Sequence, residues 1–151
     1  MGAYVATAGV VVFLIATFLD WVSTGDDSVT GTGYETDTTI PMMAFLGLGL
    51  AAALLYALNR ARGRQHRGLS LTTMAAGIAA AGLAVSYILD APGALERGGD
   101  YSAEVGAFIG LVGAIVWAVG AFLLAKEPEG DDDWHGTEHR TTGQSAGHTA
   151  H

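Results

Sequence analysis

The residues best equipped for chemistry stand near the end of the chain. Asp131, Asp132 and Asp133 precede Trp134 and His135, Glu138 and His139 follow, and His148 and His151 come last. His135 and His139 are four apart, so a helix would set both imidazoles on one face. Imidazole with carboxylate is a donor set for a divalent metal. The neighbours are Gly, Thr, Ser and Asp, a composition that favours a solvated, flexible tail over a folded site. No metal site is therefore assigned. Thr137, Thr141 and Thr142 lie in the same stretch, and phosphorylation there stays an open alternative.

A second group of carboxylates, Asp26, Asp27, Glu35 and Asp37, lies earlier and would attract cations. Its spacing is not that of a calcium loop, and a plain acidic surface is the expectation. Gly31-Thr32-Gly33 lacks the following Lys of a phosphate-binding loop and is set aside. The chain has no Cys, which excludes disulfides, thiolate metal sites and cysteine nucleophiles. No catalytic residue and no cofactor is expected.

The elements that would position any such groups are four apolar runs, at residues 3–19, 40–58, 69–89 and 105–125. None contains Asp, Glu, Lys, Arg or His. Each is about as long as a helix needs to cross a hydrocarbon core roughly 30 Å thick. The expected fold is all-α, an integral membrane four-helix bundle running up-down-up-down. Residues 1–125 would form this domain, with spans near 3–22, 39–59, 69–90 and 104–126, and residues 126–151 an acidic, His-containing disordered tail. The first run lacks a basic segment before it and a small-residue cleavage site after it, so it reads as a retained helix.

The loops alternate in charge. Residues 20–37 hold five acids and no Lys or Arg, whereas residues 59–68 hold Arg60, Arg62, Arg64 and Arg67 and no acid. Residues 90–104 carry four acids against Arg97, and the tail carries six against Lys126 and Arg140. Positive charge near span ends stays in the cytoplasm, and acids contribute little to orientation. The four-Arg loop therefore places both termini in the cytoplasm, in the inner membrane of the cell. The same Arg residues would touch anionic lipid head groups, at roughly 1 kcal/mol each. Tyr4, Trp21, Tyr56, Tyr87 and Tyr101 lie near span ends, where amphipathic rings favour the interface. Trp117 lies well inside the fourth run, where its indole N–H needs a partner.

Local signals refine the picture. Val29, Thr30, Thr32 and Tyr34 suit a short outer β-hairpin. Thr38 and Thr39 before Ile40-Pro41 read as a helix start, and Asp90-Ala91-Pro92-Gly93 as a stop. Ser102 with Glu104 reads as the start of the fourth helix. Phe18-Leu19-Asp20 resembles Ile88-Leu89-Asp90, and residues 41–48 resemble 104–111. Two parallel hairpin repeats would explain this, and so would convergence of Gly/Ala-rich helices.

Gly106, Gly110, Gly113, Trp117 and Gly120 recur at spacings of four, three, four and three, which places them on one helical face. Ala76, Ala80 and Ala84, and Gly49, Ala53 and Ala57, offer similar small rows. Small residues let backbones approach closely, where dispersion drives association in lipid. The Gly106 to Gly120 face serves either packing within the bundle or docking of a partner or second copy. The runs carry hydroxyls but no ionisable group, which argues against ion-coupled transport and against an intramembrane enzyme.

Phe18-Leu19-Asp20-Trp21, followed by an outer loop and Ile40-Pro41 opening a Leu/Ala-rich run, resembles a pattern in small uncharacterised four-span membrane proteins of actinobacteria. Those often end the first span in Phe-Leu-Pro-Trp, where this chain has Asp20. A single Lys with abundant Asp also suits a haloarchaeal source. Neither resemblance implies an activity. The expected role is non-enzymatic, an accessory or scaffolding subunit of a larger membrane assembly. A lipid-binding or permeation protein acting as an oligomer is the alternative, and a metal-dependent membrane enzyme the least favoured. Expected partners are the lipid bilayer and another membrane protein or a second copy, with no nucleic acid.

Overall fold

An uncharged apolar run deprived of water must pair its backbone N–H and C=O groups within itself, and a helix does so. A computed structural model describes residues 1–25, 29–60, 66–89 and 101–128. It contains α1 (Gly2–Ala16), β1 (Asp20–Thr24), β2 (Thr30–Thr32), the single turn α2 (Gly33–Thr36), α3 (Thr39–Arg60), α4 (Arg67–Leu89), β3 (Tyr101–Ala103) and α5 (Val105–Ala125). The helices α3, α4 and α5 are long and apolar enough to cross a membrane. Helix α1 is equally apolar but only 15 residues long.

Two expectations change at the ends of α1 and α5. The first apolar run does not stay helical to residue 19. Thr17 Oγ1 donates to the Leu14 carbonyl at 2.6 Å, and Trp21 Nε1 donates to the Ala16 carbonyl at 2.7 Å. These side-chain bonds add to the Thr17 and Leu19 amides that reach the same two carbonyls, and the chain then turns into β1. Ser102, expected to start the fourth helix, lies in β3, and α5 begins after Glu104, whose backbone is extended.

The fold is thus mostly helical with one small sheet, of order β2-β1-β3. Strand β1 pairs antiparallel with β2 through Asp20↔Thr32 and Ser23↔Thr30, with an irregularity between Asp20 and Val22. It pairs antiparallel with β3 through Val22↔Ala103 and Thr24↔Tyr101. The outer hairpin expected from Thr30 and Thr32 is present, whereas Tyr34 belongs to α2.

The largest helix interface joins α1 to α5, the next joins α4 to α5, and α3 touches both α1 and α4. The α1–α5 pair is antiparallel, since Gly2 lies against Leu124 and Gly120 while Trp21 lies against Gly106 and Gly110. Fully buried residues are mostly small, and Phe13, Trp21, Tyr87 and Trp117 fill the volume between them. Many other large aliphatic and aromatic side chains are exposed, among them Phe45, Ile78, Val112, Ile115, Val119 and Phe122. Apolar surface on this scale is rare on water-soluble monomers and matches a lipid-facing exterior.

Candidate functional site

Polar side chains gather where the C-terminal ends of α1 and α4 and the N-terminal ends of α3 and α5 meet the sheet. Trp21 is the centre of this region and is fully buried. Its ring lies over α5 because Gly106 and Gly110 have no side chains. A Cβ at Gly106 would stand 2.6 Å from the Asp20 carbonyl oxygen and from Trp21 Cδ1, and one at Gly110 would stand 2.8 Å from Trp21 Cζ2. Phe13 and Tyr87 meet the indole edge-on, with ring centroids at 6.1 and 5.5 Å. Such pairs contribute about 0.5–1.5 kcal/mol beyond their buried area.

Hydrogen bonds tie this aromatic cluster to the surrounding elements. Tyr87 Oη donates to Asp37 Oδ2 at 3.2 Å. The other Asp37 oxygen accepts the Thr39 backbone N–H at 2.8 Å and the Thr39 hydroxyl at 2.9 Å, which opens α3. Ser23, also buried, donates to Glu104 Oε1 at 2.6 Å and lies 2.9 Å from the Ser102 hydroxyl. The Glu104 amide donates to the Trp21 carbonyl at 2.9 Å. One carboxylate and two hydroxyls thus lock β1, β3 and the start of α5 together.

Helix α2 opens with a capping box. Glu35 Oε2 accepts the Thr32 amide at 3.0 Å and the Thr32 hydroxyl at 2.9 Å. These two bonds, the amide first, hold the Glu35 carboxyl below the usual carboxylate range. Beside it lies a cleft of about 220 Å³ walled by Val22, Thr30, Gly31, Glu35, Thr36 and Tyr101.

The Ser23–Glu104 pair places a hydroxyl against a potential base, but Ser23 is 1% exposed and both its contacts are internal. It is a clamp, with no room for a reacting atom beside it. Among the described residues no group of three or more His, Asp or Glu is placed to hold a metal ion. No family model, curated relative or solved structure matches this chain. Function therefore has to be read from the geometry alone.

The glycine row of α5 is occupied from within the chain. Gly106 and Gly110 receive Trp21, and a Cβ at Gly113 would stand 2.7 Å from the Phe13 backbone nitrogen. A Cβ at Gly120 would fall on the Ala6 backbone nitrogen, and one at Gly9 on that of Trp117. Trp117 is buried against Phe13 and against Gly47 of α3, where a Cβ would meet Cη2 at 2.7 Å. Its Nε1 finds no acceptor among the described residues. Among the described residues α1, Trp21 and Gly47 of α3 thus lie against this face.

A matching row lies on α1. Gly2, Ala6, Gly9, Phe13 and Ala16 repeat the same four-three spacing and are all buried. A period of 3.5 residues keeps two seams facing each other along their length, as in a coiled coil. Of the expected interface aromatics, Tyr4 and Tyr56 are exposed, whereas Trp21 and Tyr87 are interior. Ala80 and Ala84 are buried, while Gly49 and Ala53 face outward. Arg60 ends α3 and Arg67 begins α4. Arg62 and Arg64, the carboxylates Asp26 and Asp27, and the Asp/His cluster of the tail lie outside the described residues.

Proposed function

We propose that this chain is an inner-membrane protein with a four-helix up-down bundle, serving as a non-enzymatic accessory or scaffolding subunit. The observation that carries this reading is how the α1–α5 seam is built. Backbone approaches backbone at Gly9, Gly113 and Gly120, and aromatic rings fill the remaining space. Such an interior gives rigidity, and a rigid bundle suits a part that holds a surface in place. The surface it holds is the sheet-capped end, whose strands are anchored to the helices through Ser23, Glu104, Asp37 and Tyr87.

Both acidic loops join at this end, and Arg60 and Arg67 mark the opposite one. The positive-inside rule then puts the sheet outside the cell and both termini in the cytoplasm. Because the chain lacks Cys, single cysteines report this directly. Thr30→Cys should react with an impermeant maleimide added to intact cells, and Gly68→Cys only after lysis. The reverse pattern would invert the topology.

The role itself is tested by native mass spectrometry of the protein taken from its own membranes in mild detergent. A stoichiometric protein partner supports the subunit reading. A homo-oligomer carrying only lipid overturns it and favours lipid binding or permeation.

A further inference from the structure

The cleft beside α2 has properties that the clamps around it do not explain. Glu35 is the acid among its lining residues, and residues 20–37 hold no Lys or Arg. Glu35 uses Oε2 for both bonds to Thr32, and Oε1 carries no hydrogen bond among the described residues. Tyr101, Val22 of the central strand, Thr30 and Thr36 line the same cleft. Its volume of about 220 Å³ falls below the roughly 300–1,000 Å³ of pockets that enclose drug-sized ligands. One long side chain fits that space better than a whole small molecule.

We infer that this cleft docks a single Arg or Lys side chain presented by an extracytoplasmic segment of a partner protein. The match is chemical at each wall. A cation gains a charge-assisted hydrogen bond from Glu35 Oε1. It gains a further attraction over the face of Tyr101. The aliphatic stem of Arg or Lys lies against the methyls of Val22. Guanidinium is preferred over ammonium because it is planar, stacks on aromatic rings and is more weakly hydrated. With no Lys or Arg in residues 20–37, a basic segment is attracted to this end of the protein and an acidic one repelled. The inference deepens the subunit reading above, and rests on it for the existence of a partner.

The test uses the full chain in nanodiscs of zwitterionic lipid and an end-capped Gly-Gly-Arg-Gly-Gly peptide, with the same peptide carrying citrulline as the uncharged isostere. Calorimetric or NMR titration should show the Arg peptide binding at least about fivefold tighter. Glu35→Gln should remove that preference, and the fold should survive because Gln also completes a capping box. Tyr101→Leu should weaken Arg binding several-fold. Asp20→Asn removes an equal charge outside the cleft and should leave the preference intact. Equal affinity for the two peptides would overturn the inference. So would equal losses in Glu35→Gln and Asp20→Asn, which would mean diffuse attraction to an acidic surface. A native partner retained without any Arg preference overturns the cleft alone. An Arg preference without a native partner overturns the subunit reading alone.

Discussion

Adding one methyl group to the α1–α5 seam tests the packing argument most directly. In Gly113→Ala the new Cβ would stand 2.7 Å from the Phe13 backbone nitrogen and 3.0 Å from the Gly9 carbonyl oxygen, where ordinary contact begins at 3.4 Å. Both obstacles are backbone, so no side chain can swing aside. Helix α1 must retreat by about 0.7 Å, and a gap of that size forfeits roughly a quarter of the dispersion well of each contact it opens. Overpacking of this kind costs about 1–3 kcal/mol, and the better helix propensity of Ala returns at most about 1 kcal/mol. A net loss of about 1–2 kcal/mol is expected. Gly82→Ala is the control, because nothing lies within 4 Å of its Cβ position, and it should change stability by less than about 0.5 kcal/mol or raise it. Reversible unfolding in mixed micelles, followed by the fluorescence of buried Trp21 and Trp117, reads both variants. In the double variant Gly9→Ala/Gly113→Ala the second methyl should cost less than the first, since the helices have already parted. If Gly113→Ala proves as stable as Gly82→Ala, the seam is not close-packed and the rigidity argument falls.

Two further outcomes follow from single hydrogen bonds. Trp21→Phe keeps most of the buried ring but removes the bond to the Ala16 carbonyl, so stability in the same assay should fall by about 1–3 kcal/mol. The Glu127 carboxyl is held below its usual range, first by the hydrogen bond from the N-terminal ammonium of Met1 at 3.1 Å and then by the Gly2 amide at 3.3 Å. A depressed folded-state pKa means stabilisation that is present above the unfolded-state pKa and lost as pH falls through the folded one. Both partners are solvent-exposed, so the contribution should stay under about 1 kcal/mol. Glu127→Gln should flatten that acid limb by lowering the neutral-pH value by the same amount, under about 1 kcal/mol, with no change at low pH.

The three long helices were legible because charge-free length is a strong signal, and it gave α5 its observed limits at Val105 and Ala125. The first helix was overestimated because Thr17, Phe18 and Leu19 are as apolar as a span requires. Its end is decided by Trp21, whose indole takes the Ala16 carbonyl and whose ring needs the trench at Gly106 and Gly110. The first contact is local, but the trench stands about 85 residues from Trp21 in the sequence and is a tertiary fact. Strand β3 is hidden for a related reason, since Tyr101-Ser102-Ala103 alternates over only three residues, too few to signal a strand, and pairs with distant β1. Trp21 and Tyr87 looked like interface anchors because position along a span says nothing about which side of the helix a ring occupies. The α1 seam could have been found, since Gly2, Gly9 and Ala16 stand seven apart as do Gly106, Gly113 and Gly120.

The partnership of the first helix with the last has a consequence for biogenesis. Helix α1 leaves the ribosome about 90 residues before α5 begins, and at about 5–20 residues per second that is a wait of roughly 4–18 seconds. On the membrane reading proposed above, α1 would wait in the bilayer as the shortest apolar helix among the described residues, its glycine seam without its partner. Strand β1 waits likewise, able to fold back on β2 but lacking β3 and the trench for Trp21. Helix α5 therefore closes the helix seam and the sheet-capped end in one event. Nascent chains arrested before residue 105 should expose α1 to insertase crosslinkers, and chains released after residue 125 should not.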